Sequence, residues 1–159
     1  MVDATYLNPF IESVDQVFNE FVNIPIERNM INLVPASFCT DGITLLMGAL
    51  GDIEGQIILE FDLKSALKIV ENIYCGLQFS EADNHVKNAL FELTARITGT
   101  AQKKLSNVGL KVELSPVSIF TAGNQIEFTI KDIPVLKLNF RVGESGKYNF
   151  SLYLALKMS

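Results

Sequence analysis

Tryptophan is missing from this chain, histidine occurs once and cysteine twice. With His85 as the sole imidazole, histidine-rich zinc sites and Ser-His-Asp or Cys-His catalysis lack their usual parts. Cys39 and Cys75 stand far apart, without C-x-x-C spacing, and read as two buried, reduced thiols. No apolar run approaches the roughly 20 residues that span a bilayer. Met1 to Phe10 have neither the basic n-region nor the apolar h-region of a signal peptide, so the expected compartment is the cytoplasm. Basic residues are also few. Thirteen Lys plus Arg against eighteen Asp plus Glu leave a net charge of −5. Such a surface repels phosphate backbones and argues against nucleic acid or membrane as partner. The one glycine-flanked turn, Gly143 to Gly146, is too short to cradle a phosphate and lacks the Walker pattern.

What is present is apolar mass. The 159 residues are 48% hydrophobic and 19% charged, which excludes a disordered regulator and suits one domain over residues 1–159. Leu7, Phe10, Val14, Val17, Phe18 and Phe21 recur at helical spacing and predict a helix over 4–22, ending before Pro25. Extended segments are expected at 29–34, 43–50 and 55–61, with turns at Asp41-Gly42 and Gly51-Asp52. A second helix is expected over 63–74, capped by Asp62 and stopped by Gly76. A third is expected over 81–106, with Ser80 as cap and Gly109 beyond its end. Four more extended segments follow at 111–114, 126–130, 135–142 and 148–157, the last two joined as a hairpin. Each half thus holds a long helix followed by strands, which hints at a duplication. Runs of neighbouring strands favour an α+β fold with a mostly antiparallel sheet and the long helices packed over it. The strand 148–157 is read as an edge able to pair with a second copy.

The third helix has two faces. With Glu92 at zero and ~100° per residue, Val86, Leu90, Leu93, Ile97 and Ala101 fall on one side. Asn88, Ala95, Arg96, Gly99 and Lys103 lie within about 60° of Glu92 on the other. The plain reading of that face is a solvated one, with Glu92 and Arg96 forming an i,i+4 pair. The functional reading is a partner surface, with Gly99 admitting close approach. His85 falls on the solvent side, about two turns from Glu92, too far to act with it as a base.

The run from Ala89 through Glu92, Ala95 and Gly99 to Ala101 resembles the signature helix of the CheC/CheX chemotaxis phosphatase family. That signature has a glutamate, then an asparagine three positions on, and a glycine four after that. Residues 55–69 resemble the family's strand leading into its middle helix, and 109–120 resemble the strand and proline, here Pro116, that follow the signature. With Asn8 to Val14 at the start, the likeness runs through nearly the whole chain in order. A single signature helix is similar to the CheX-like branch.

The resemblance implies two similar halves sharing one sheet, and a phosphatase of the aspartyl-phosphate on a CheY-like response regulator. It implies no cofactor of the chain's own, because the regulator supplies the phosphoaspartate, the Mg²⁺ and a lysine. It further implies a homodimer. In the family the glutamate engages that lysine, while the asparagine amide places a water for in-line attack. Phosphoryl transfer is mostly positioning and charge stabilisation, so little more is needed.

Here Glu92 matches the glutamate, but Ala95 occupies the asparagine position and Asn88 the acidic or hydroxyl position four before. Glu20 and Asn23 have the glutamate–asparagine spacing but straddle a helix end. Glu12 and Asp15 sit on the first helix, where Asp15 would add negative charge beside a phosphate. Gln102 lies ~10 Å along the axis from Ala95. Two readings follow. In the first, the chain docks a phosphorylated CheY-like regulator through the Glu92 helix, with phosphatase activity impaired or absent. Asn88, Ala95, Arg96, Gly99 and Gln102 then form the docking surface. In the alternative, it is an active phosphatase using Glu92 with Asn88, Arg96 or Gln102 as substitute water-positioner.

Overall fold

The computed structural model describes residues 4–121 and 125–159. Helix α1 (Ala4–Val17) runs into a π turn at Phe18–Val22, closed by the Asn23 N–H donating to the Phe18 carbonyl at 2.8 Å. Strands β1 (Ile26–Val34), β2 (Ser37–Thr40), β3 (Ile43–Gly51) and β4 (Ile53–Phe61) come next. Helices α2 (Leu63–Ile73) and α3 (Asn84–Asn107) lead into β5 (Val112–Leu114), β6 (Ser118–Phe120), β7 (Ile126–Thr129), β8 (Val135–Val142) and β9 (Tyr148–Met158).

The sheet reads β1-β8-β9-β4-β3-β5, with β6 also on β3 and every pairing antiparallel. That order is a palindrome of two repeats. In each half a long helix is followed by an edge strand, a short ribbon strand and two long strands. The edge strands are exchanged: β1 pairs with β8 of the second half, while β5 and β6 pair with β3 of the first. The ribbon strands β2 and β7 pair only with each other. The duplication expected from the element order is therefore visible in the topology.

The helices repeat at residue level. In α1 and the first residue of its π turn, Phe10, Ser13, Val14, Val17 and Phe18 are buried; in α3, eighty positions later, so are Leu90, Leu93, Thr94, Ile97 and Thr98. This two-in, two-out pattern presses both helices onto the sheet and onto each other. The main core lies there, centred on Phe150, whose ring stacks on Phe18, Phe61 and Phe140 at 5.1–5.2 Å. A smaller core occupies the opposite sheet face, where the β2–β7 ribbon lays Phe38 and Phe128 near Ile58, Val135, Tyr153 and Ala155. The Tyr153 hydroxyl donates to Glu60 at 2.7 Å; burial first, then that carboxylate, pushes its pKa well above the usual tyrosine value. Gly55 adopts φ 146° where β4 crosses β9, and a Cβ there would run into the Ala155 carbonyl.

Several expectations are corrected. Both cysteines are exposed. Cys39 alternates outward from the ribbon strand that turns Phe38 inward, and Cys75 lies past the end of α2 at φ 56°. Strand β9 is not an edge: it is hydrogen-bonded to β8 on one side and β4 on the other. Edge character belongs to β1, whose strand is exposed over nearly its whole length. The cap of α3 is not Ser80 but Asp83, which accepts the Val86 N–H at 3.0 Å. Phe79, ahead of this start, packs on Tyr74 and lies near His85. Asp62 caps α2 as expected, accepting the Ser65 N–H at 2.8 Å.

Candidate functional site

The apolar side of α3 goes where its period sends it: Val86, Leu90, Leu93, Ile97 and Ala101 are fully buried. Asn88, Glu92, Ala95, Arg96 and Lys103 are left exposed on the outer side, with Gly99 and Gln102 partly so. The predicted face therefore forms as one continuous surface. It is held in place by packing against α1 and by Lys104, which approaches Glu12 at 3.8 Å.

Glu92 and Arg96 form the expected pair, Nε to Oε1 at 2.8 Å, with both side chains about half exposed. An exposed i,i+4 pair contributes about 0.5 kcal/mol, so a partner can exchange it cheaply. The guanidinium has a second neighbour that the helix itself does not supply. Its Cζ lies 4.2 Å from the centre of the Phe21 ring, a cation–π contact from the π turn of α1. The wider turn takes Phe21 off the buried stripe suggested by its spacing and lays it, half-buried, beside α3.

Between the two helices runs a shallow groove of about 350 Å³ lined by Glu20, Phe21, Ala95, Arg96, Gly99 and Lys103, among others. Its floor is bare. Ala95 offers only a methyl group, and a Cβ built on Gly99 would meet nothing within 4 Å. Gly99 is thus not demanded by packing inside the protein. Below the groove the Thr94 hydroxyl is buried without a hydrogen-bond partner, whereas the Thr98 hydroxyl donates to the Thr94 carbonyl at 2.8 Å. Gln102 is committed to the fold, its amide donating to the Val112 carbonyl of β5 at 2.6 Å.

The remaining candidates lie elsewhere. Glu12 and Asp15 are exposed on α1, in a separate groove shared with Arg28 of β1. Glu20 lies in the π turn, but Asn23 takes the left-handed cap at φ 58°, so the two do not form a helical pair. His85 is 71% exposed and 3.9 Å from Asp83. Among the described residues, no three of His, Cys, Asp and Glu gather as a metal site, and no helix is long and apolar enough to cross a membrane.

Residues 43–136 match the family described as chemotaxis phosphatase CheX. Over 156 residues, 98% of each chain, the sequence is 25% identical to the Thermotoga maritima protein named CheY-P phosphatase CheX. In fold it is similar to a CheC-like superfamily protein from Shewanella sp. PV-4 (TM-score 0.85, 21% identity, 98% of this chain and 99% of that one). It is likewise similar to a chain in the Borrelia burgdorferi CheX–CheY–BeF₃–Mg²⁺ complex (TM-score 0.81, 20% identity, 99% of each).

Proposed function

The chain belongs to the CheX chemotaxis phosphatase family, and from that premise we propose that it docks a phosphorylated CheY-like response regulator through the Glu92 face of α3, with little or no phosphatase activity. The observation that carries this reading is local. The face is open and its glutamate accessible, but a methyl group stands at Ala95 where the family resemblance puts a water-holding amide. Glu92 exchanges Arg96 for the regulator's lysine; Asn88, Ala95, Gly99 and the exposed edge of Gln102 form the surrounding contact. Mg²⁺ arrives with the regulator on this reading, which is supported by a Borrelia complex whose named parts are CheX, CheY, BeF₃ and Mg²⁺. We assign this work to the cytoplasm.

An active enzyme would need a substitute for the missing amide. Gln102 is tied to β5 through its amide. Asn88 sits on the far side of Glu92, about 10 Å along the axis from Ala95. Neither supports rapid turnover. The test is the decay of a phosphorylated CheY-like receiver with and without this protein. We expect a rate close to the receiver's own decay, and a large acceleration would establish the active-phosphatase alternative.

We also propose a homodimer, formed through β1. This nine-residue strand uses only one side in pairing with β8 and exposes Met30, Ile31 and Leu33. A long apolar edge is a template for pairing with another strand. Light scattering should give the mass of two chains for the wild type and of one for Met30→Lys/Leu33→Lys. An unchanged mass in the double variant would remove β1 as the interface.

A further inference from the structure

We propose that Arg96 is the residue with which this chain distinguishes a phosphorylated receiver from an unphosphorylated one, its guanidinium donating to phosphoryl oxygens over the bare floor at Ala95 and Gly99. The inference rests on the docking reading above and gives it a recognition element.

Arginine carries five N–H donors in a planar fork suited to phosphate. Only Nε is engaged here, by Glu92, and no hydrogen bond among the described residues occupies Nη1 or Nη2. The Phe21 ring 4.2 Å from Cζ restrains the plane of the group from one side. Arg96 is therefore partly pre-organised, with its outer donor edge unspent. Space for an anion lies beside it, since Ala95 and Gly99 raise nothing larger than a methyl group in the groove that Arg96 lines. Lys103 lines the same groove and adds positive charge, with Glu20 the one carboxylate among its lining residues.

The repeat offers an internal control. The position in α1 that matches Arg96 is Gln16, on a helix with the same buried stripe. The architecture therefore does not require an arginine there. On docking, Glu92 and Arg96 part, the carboxylate going to the receiver's lysine and the guanidinium to its phosphoryl group. Each charge finds an opposite partner and no bond to phosphorus is made or broken. The phosphoryl group stays on the receiver's aspartate, because Ala95 orients no water.

The experiment titrates wild type, Arg96→Ala and Arg96→Lys with purified CheY-like receivers of the source organism, each with Mg²⁺ alone and with Mg²⁺ plus BeF₃⁻ as phosphoryl mimic. Wild type should bind the BeF₃⁻ form about tenfold more tightly than the other, as a charge-assisted bidentate contact allows. Arg96→Ala should bring that ratio close to one, with the larger loss falling on the BeF₃⁻ form. Arg96→Lys, keeping the charge without the fork, should retain about a third of the preference. Full preference in Arg96→Ala would overturn the proposal. So would an equal loss for both receiver forms, since that would mean Arg96 acts only by holding Glu92. Wild type binding neither form of any receiver would instead overturn the docking reading itself, a failure already visible before any variant is made.

Discussion

Helix α1 presents Asn8, Glu12, Asp15 and Gln16 where α3, eighty positions later, presents Asn88, Glu92, Ala95 and Arg96. Beneath these residues both helices bury the same alternating stripe on the same sheet. Two of the four outer positions are identical between the repeats and two are not. On α1 the glutamate lies near Lys104 and the third position is a carboxylate, in a groove shared with Arg28. On α3 the third position is neutral and the fourth is cationic. Repeated packing built two similar platforms, and two side chains give them different charge; on the proposed reading only the α3 platform receives a phosphorylated partner.

The largest effect should come from installing the amide at both platforms. Ala95→Asn is expected to speed receiver dephosphorylation by about a hundredfold over wild type, since orienting the water is the missing step. Asp15→Asn on α1 should produce no such gain, because Glu12 there is already engaged by Lys104 and its groove is a separate one, closed on one side by β1. Equal acceleration by both would erase the distinction between the helices. A smaller contrast is expected from truncating the paired glutamates. Glu92→Ala should weaken receiver binding about tenfold in isothermal titration, while Glu12→Ala should leave it unchanged. If Glu12→Ala weakened it as much, α1 would have to be counted as part of the contact.

The smallest effect concerns stability. Thr94 and Val14 occupy matching buried positions, and the Thr94 hydroxyl has no hydrogen-bond partner. Thr94→Val should raise the unfolding free energy by about 1 kcal/mol, and Val14→Thr should lower it by about the same or more. Urea denaturation checks both. A destabilised Thr94→Val would show that the hydroxyl is satisfied after all.

The amphipathic face of α3 was legible because helical periodicity is local and the stripe is long. Strands β3, β4, β8 and β9 were legible for a similar reason, as runs of β-forming residues bounded by turns. Ribbon strand β2 and edge strand β6 were not anticipated. They are four and three residues long and owe their extended form to distant partners, β7 and β3. The buried-thiol expectation failed because residue type predicts burial only on average. Ser80 and Asp83 are both capping residue types, and only the hydrogen bond that Asp83 accepts from Val86 distinguishes them.

At the candidate site, the helical period and the family resemblance single out Glu92, Arg96 and the alanine at position 95. By spacing Phe21 belongs to the apolar stripe, and its place beside Arg96 depends on a π turn whose extra residue has no simple sequence signature. Gln102 was spacing alone until β5 came within reach of its amide.

The sequence by itself determined which face of α3 points outward, that the chain has two related halves, and that an amide is missing from the signature. These properties follow from local periodicity and residue identity. Only the tertiary structure decided that β9 is central and β1 the edge, that α1 supplies an aromatic ring to Arg96, and that the two helices are matched platforms. Those depend on contacts between residues tens of positions apart, and the exchange of edge strands between the halves is what brings such residues together.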